Sequence, residues 1–291
     1  MAVRRASPSH ALLMGAVAYD QKVVTIWDGF KEYFRYHGLE FDYVLYSNYE
    51  RQVDAHLHGH VHIAWNSPLA WLQAERVARG LGRDAQAICM RDTDRDLTSI
   101  VLVRSNSGID AISALTGKIV AVGAGDSPQA TLIPLNYLAD HGLTPGEHFE
   151  VKVFDVLTGK HGDHIGGERD AVRALIRGDA DAACILDANH LTFSREGTIP
   201  REALRILAET PAYDHCNFTV FDDAPAEAVA LFRDLLLNMS YRDAEVRPLL
   251  DLEGLKQWVP GRINGYAQLA QAVDRFGTID AFVRELQAAC K

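Results

Sequence analysis

The chain has 291 residues, 48% of them hydrophobic and 23% charged, a globular composition able to build a sizeable core. Acidic residues outnumber basic ones 39 to 29, for a formal charge of -10. With no Lys/Arg-rich stripe, this excludes a nucleic-acid-binding surface, and the absence of low-complexity runs and sustained heptads excludes disordered and coiled-coil classes. The length fits two domains or one two-lobed α/β unit. The apolar run ALLMGAVAY, residues 11–19, is too short to span a membrane. Only MAVRRASPSH precedes it, so it reads as a first strand, and the sequence as written points to the cytoplasm; a chain trimmed of its leader would read the same and be periplasmic. Cys89, Cys184, Cys216 and Cys290 are scattered without a CxxC pair and read as free, mostly buried thiols.

Strand and helix patterns alternate along most of the chain, the mark of an α/β protein with largely parallel sheets. Residues 11–18 read as a buried strand. Val23, Ile26, Trp27, Phe30, Tyr33 and Phe34 recur at helical spacing, and Gly38 closes that helix. Residues 41–46 are extended, and Ser47 or Asn48 can cap a short helix through His56. Residues 61–65 form a strand, Pro68 starts a helix that ends at Gly80, and residues 85–89 and 99–103 are two further strands. A second unit follows. It holds a short helix at 109–115, strands at 118–122 and 150–154, helices at 128–141 and 168–177, and a strand at 182–186. Pro134 lies inside the 128–141 helix and bends it. Extended segments at 205–208 and 217–221 lead into a tail that reads as almost wholly helical from Ala224 onward. Two such lobes leave a cleft between them, where α/β folds bind ligands.

Four segments, in order, carry a resemblance. They are HLHGHVHIAWNSPLAWL, LTGKIVAVGAGDSPQATLIPLNYLADHGLTPGEHF, ERDAVRALIRGDADAACILDANHL and ETPAYDHCNFTVFDDAPAEAVALFRDLLL. The chain resembles the phosphate, phosphite and phosphonate substrate-binding proteins of ABC transporters. The resemblance implies a type II periplasmic-binding-protein fold: two α/β lobes, a central cleft and two hinge crossings, expected near Arg104 and at 208–213. Lobe 1 would hold residues 1–104, lobe 2 residues 105–208, and residues 209–291 would return to lobe 1 and add the C-terminal helices. The expected partner is a small-molecule ligand, with no nucleic acid or membrane insertion, and with a transporter partner if a leader has been removed.

Ser127 and Pro128 are the clearest local signal: Ser is a favoured N-cap, Pro is favoured at the first helical position, and a helix N-terminus binds anions without Lys or Arg. The expectation is that Ser127, Pro128, Gln129, Ala130 and Thr131 face the cleft through free N–H groups and hydroxyls. An ordinary capped helix explains Ser-Pro equally well, and the resemblance favours the ligand role. The family typically presents more Ser and Thr at this turn, so the longer Gln amide suits a carboxylate as well as a phosphonate. On lobe 1, the resemblance places Tyr19, Asp20, Tyr46, Trp65, Asn66 and Ser67 at strand ends facing the ligand, with Tyr49 beside them. Trp65 reads equally as core. On lobe 2 it places Glu168, Asp187 and Asn189 at the polar end of the ligand, although an acid at a helix start, like Glu168, is stabilising without one.

His56, His58, His60 and His62 alternate across Gly59 and read as solvated surface. The run KHGDHIGG reads as an insertion before the Glu168 helix. No cofactor motif is present, and no GxSxG, HExxH, P-loop or dinucleotide fingerprint. A flexible polar loop is the first reading of the insertion. A second is a metal set of His161, Asp163 and His164 approaching Asp187 and His190. Binding without turnover is the expected function. The alternative is a cytoplasmic enzyme of lyase or decarboxylase type on the same fold, with His164, Glu168 and Asp187 as acid–base or metal-dependent groups.

Overall fold

The computed structural model describes residues 11–163 and 165–290. Among the described residues eleven strands form two sheets. In the first, β1 (Leu12–Val17) is flanked by β2 (Phe41–Tyr46) and β3 (Ile63–Asn66), both parallel to it. Helices α1 (Lys22–Tyr36) and α2 (Tyr49–Leu57) provide the crossovers that parallel pairing requires. Two returning strands extend this sheet. β10 (Asn217–Phe221) inserts antiparallel between β3 and β4 (Ala85–Arg91), and β11 (Trp258–Pro260) adds to β4. The apolar stripe of α1 lies against these strands: Trp27 and Trp65 meet edge-on at 6.4 Å, and Trp65 and Phe218 pack at 4.6 Å. Each such large apolar side chain contributes roughly 1.5–3 kcal/mol on burial.

The second sheet runs β7 (Glu150–Val153), β6 (Ile119–Val122), β8 (Ala182–Leu186), β5 (Ser99–Arg104) and β9 (Leu204–Glu209). Helix α4 (Ile133–Asp140) covers one face with Leu135 and Leu138, and α5 (Gly166–Arg177) covers the other with Ala171, Val172 and Leu175. Gly178 in the left-handed region ends α5, and Ser67 with Pro68 starts α3 (Pro68–Gly80), both as local signals predict.

Three expectations are corrected. The sheets are mixed, because β5 pairs antiparallel with β8 and β9, as β10 does with β3 and β4. The first crossing is not at Arg104 but between β4 and β5, at 92–98; β5 is hydrogen-bonded into the second sheet, so the chain has already crossed. The second crossing, 210–216, runs beside it, joined at an antiparallel bridge between Leu97 and Tyr213. Third, the tail contains β11 besides its helices. Arg262 clamps both crossings, reaching Asp214 at 2.6 Å and Asp96 at 2.7 Å. Helix α9 (Ala267–Phe276) packs against α3 of the first lobe and α4 of the second, and Arg275 donates to the Asn136 carbonyl at 2.9 Å.

Pro134 falls in the first turn of α4 rather than mid-helix. The preceding turn, Pro128–Leu132, is π-helical. Pro134 has no N–H to give to the Ala130 carbonyl four residues back, and that carbonyl instead accepts from Gly123 at 3.4 Å.

Among the alternating histidines, His58 and His60 are exposed, but His56 is 2% exposed and packs tilted against Phe221 at 4.2 Å. It lies on the inner face of α2, where burial pushes its pKa down to about 3 and keeps the ring neutral.

Candidate functional site

A cleft of about 260 Å³ opens between the lobes beside the crossings. That is space for about nine waters at liquid density, enough for a small solute. From lobe 1, Tyr19 after β1, Lys22 at the start of α1, Trp65 of β3 and Arg91 at the end of β4 reach it. The crossings supply Asp94, His215 and Cys216, and lobe 2 supplies Gln129, Asp163 and Asn189.

Arg91 is the electrostatic centre. Its guanidinium lies over the Trp65 ring at 5.2 Å, donates to both Asp94 oxygens (2.5 and 2.9 Å) and donates to Glu253 Oε1 at 3.3 Å. Burial is the largest influence on the Asp94 carboxyl and would raise it, but the Arg91 charge and the side-chain hydrogen bonds to Asp94 together outweigh it and hold Asp94 at about 2. At Glu253 burial wins over Arg91, and its pKa rises to about 7. His215 faces Gln129 Oε1 through Nε2 at 3.3 Å and Cys216 Sγ through Nδ1 at 3.1 Å. Burial pushes the Cys216 thiol well up.

The Ser127 turn is closed rather than open. Ser127 Oγ accepts from Ala130 N at 3.2 Å, and its carbonyl accepts from Thr131 N and Leu132 N. Thr131 Oγ1 donates to the Ala124 carbonyl at 2.7 Å. Gly162, at φ +79°, packs close to Ser127, where an added Cβ would collide with Ser127 Oγ. Of the predicted turn residues, Gln129 lines the cleft, while Ser127, Pro128, Ala130 and Thr131 are buried beneath it. The first turn of α6 (Asp187–Arg195) faces the cleft instead, through Ala188 and Asn189, whose N–H groups precede the first intrahelical bonds. Asp187 itself points outward and is exposed.

The side-chain hydrogen bonds described for loop residues Lys160, His161 and Asp163 go to lobe 1 and not to Asp187 or His190. Lys160 Nζ donates to the Ala18 carbonyl at 2.6 Å and also to the Ser47 carbonyl, and Tyr49 N donates to the Gly159 carbonyl at 3.0 Å. His161 is fully buried, stacked on Tyr49 at 4.8 Å; Ser67 Oγ lies 2.6 Å from its Nδ1, and its Nε2 donates to Glu50 Oε1 at 3.0 Å. Tyr49 donates to Asp163, whose pKa burial pushes up. His164 lies outside the described residues. Of the alternative metal set, His161 and Asp163 are bonded into lobe 1, and among the described residues the convergent group is Asp94, His215 and Cys216.

Tyr19 and Trp65 line the cleft. Asp20 precedes α1 and its side chain accepts from Lys22 N at 2.8 Å. Tyr46 lies against Gly15, away from the cleft. Asn66 is held in a buried chain, accepting from Gln52 at 2.8 Å and donating to Thr219 at 2.8 Å. Ser67 caps α3. Glu168 sits under the cleft floor, where Oε2 accepts from Leu186 N (3.0 Å) and Asn189 Nδ2 (2.8 Å); burial raises its pKa to about 7. Sequence reasoning missed Lys22, Arg91, Asp94, His215 and Cys216. The available signal was that MRDTD and YDHCN lie between strands of different lobes, where cleft residues of a two-lobed fold originate.

A two-lobed molecule with paired crossings and a polar cleft defines a solute-binding protein of the type II periplasmic-binding-protein fold. The sequence profile of the family described as "ABC transporter, phosphonate, periplasmic substrate-binding protein" matches residues 15–266, and the chain belongs to that family. Similar solved structures include PhnD1 from Prochlorococcus marinus in complex with methylphosphonate (17% identity, 92% of this chain and 99% of that chain, TM-score 0.68). A binding protein component of an ABC phosphonate transporter from Pseudomonas aeruginosa (14% identity, 97% and 89%, TM-score 0.58) also matches. So does the periplasmic aliphatic sulphonate-binding protein SsuA from Escherichia coli (17% identity, 94% and 88%, TM-score 0.56). At these identities the likeness is one of fold. The family is a substrate-binding component of a transporter. Among the described residues no helix is long and apolar enough to cross a membrane.

Proposed function

We propose that the chain is the periplasmic solute receptor of an ABC transporter, with a membrane-embedded transporter as its partner, and that its cleft takes a small solute with an oxyanion head such as a phosphonate. The observation that supports this is the convergence of Arg91, Lys22 and the first turn of α6 on one small cleft. Arg91 is tied to Asp94 and Glu253, so it offers orientation more than net charge. Lys22 and the α6 dipole supply the attraction.

A thermal-shift panel of methylphosphonate, phosphate, an alkanesulfonate, acetate and neutral and cationic controls tests the reading. A bound solute at about 100 times its Kd adds about 2.7 kcal/mol of stability. Lys22→Gln should weaken binding of the active oxyanion by about 1 kcal/mol, roughly fivefold. Shifts confined to the neutral or cationic solutes would overturn the reading.

A further inference from the structure

We infer that Asp94, His215 and Cys216 form a binding site for a divalent metal ion of the borderline-soft class that zinc represents, with an open coordination position directed into the cleft. One ligand atom from each residue lies within 4.8 Å of the others. His215 Nδ1 stands 3.1 Å from Cys216 Sγ and 3.5 Å from Asp94 Oδ1. Tetrahedral ligands bound at ~2.0–2.3 Å stand roughly 3.3–3.8 Å apart, so the two His215 separations are near the required range and the third, within 4.8 Å, closes by up to about 1 Å to admit the ion. One thiolate, one imidazole and one carboxylate is a donor set that suits zinc, and three protein ligands leave the fourth position open.

The surroundings orient these ligands. Gln129 Nε2 donates to the Gly162 carbonyl at 2.8 Å, which turns Oε1 towards His215. His215 Nε2–H therefore donates to Gln129, leaving the Nδ1 lone pair facing Asp94 and Cys216, the usual arrangement for a ligating histidine. Arg91 occupies one lone pair on each Asp94 oxygen and leaves others free. His215 N donates to the Asp94 carbonyl at 2.8 Å, so the two crossings are fastened at the site itself. All three residues line the cleft. The ion displaces the Cys216 thiol proton to solvent, and an oxygen of the bound solute completes the coordination. This last step rests on the cleft being the oxyanion site, and it supplies the positive charge that the neutralised Arg91 does not.

The test titrates the EDTA-stripped full chain with Co2+, whose thiolate charge-transfer band reports a cysteine ligand, and then with Zn2+ in competition. One equivalent should give the band, and Zn2+ should remove it. Cys216→Ser should abolish the band, and His215→Gln should weaken the metal by more than the roughly 10- to 100-fold typical of losing an outer-shell partner. Cys290→Ser is the control, because Cys290 lies 3.8 Å from His58 and offers a rival pair. No band at one equivalent, a band that survives Cys216→Ser, or one lost in Cys290→Ser overturns the site. If Cys216→Ser does not fold, His215→Gln decides: unchanged cobalt affinity refutes the assignment. The oxyanion panel run in EDTA tests the cleft's function separately, and methylphosphonate added to the metal-loaded protein tests the open position. Equal methylphosphonate affinity with and without metal would place the ion off the solute site.

Discussion

Glu168→Gln removes a carboxyl that the fold holds in an unfavourable place. The side chain is 2% exposed, and Oε1 has no hydrogen-bond partner among the described residues, while Oε2 accepts two. Burial raises its pKa from 4.5 to about 7. The folded chain thus keeps a proton that the unfolded chain releases, and stability must fall as pH rises from about 4.5 through about 7. At about 1.36 kcal/mol per pH decade, the loss attributable to Glu168 between about pH 4.5 and about pH 8 is about 3 kcal/mol. A glutamine accepts the same two hydrogen bonds and does not ionise. Its absolute stability also depends on what the new amide nitrogen meets, so the difference between the two pH profiles is the decisive quantity. Glu253 rises to about 7 as well but is present in both proteins and cancels. Urea denaturation of ligand-free wild type and Glu168→Gln at the two pH values measures the difference. Profiles that run parallel would refute the reasoning, because Glu168 would then be ionised throughout.

Two further outcomes follow from the closed turn and the crossing loop. Ser127→Ala should lower stability by about 1 kcal/mol through loss of the cap, without changing solute affinity, as read by denaturation and calorimetry on one preparation. Gly162→Ala should detach the loop from its seat, because the residue adopts φ +79° and an added Cβ collides with Ser127 Oγ. Proteolytic cleavage within 156–165 should then accelerate while the rest of the chain resists.

The sequence determined whatever depends on near neighbours. Pro68 and Gly80 bound α3 as predicted, because the fixed φ of proline and the apolar spacing act within a few residues, and Ser67 adds the cap. The same holds for α1, for β8 and for Gly178 after α5. The ordered motifs of four segments were enough to indicate two lobes and a cleft. Strand partners were not legible: β5 looks like any apolar strand, and only its pairing with β8 and β9 moves the crossing ahead of it. Tertiary structure alone brought Asp94 beside His215, and it turned the Ser127 cap from an exposed anion site into a seat for Gly162. It also turned His161 from a cleft-facing ligand into a stacked, buried contact with lobe 1. Each of these is a meeting of segments distant in sequence, and which distant segments meet is set by sheet order and lobe closure, which leave no periodicity in the chain for local propensity to report.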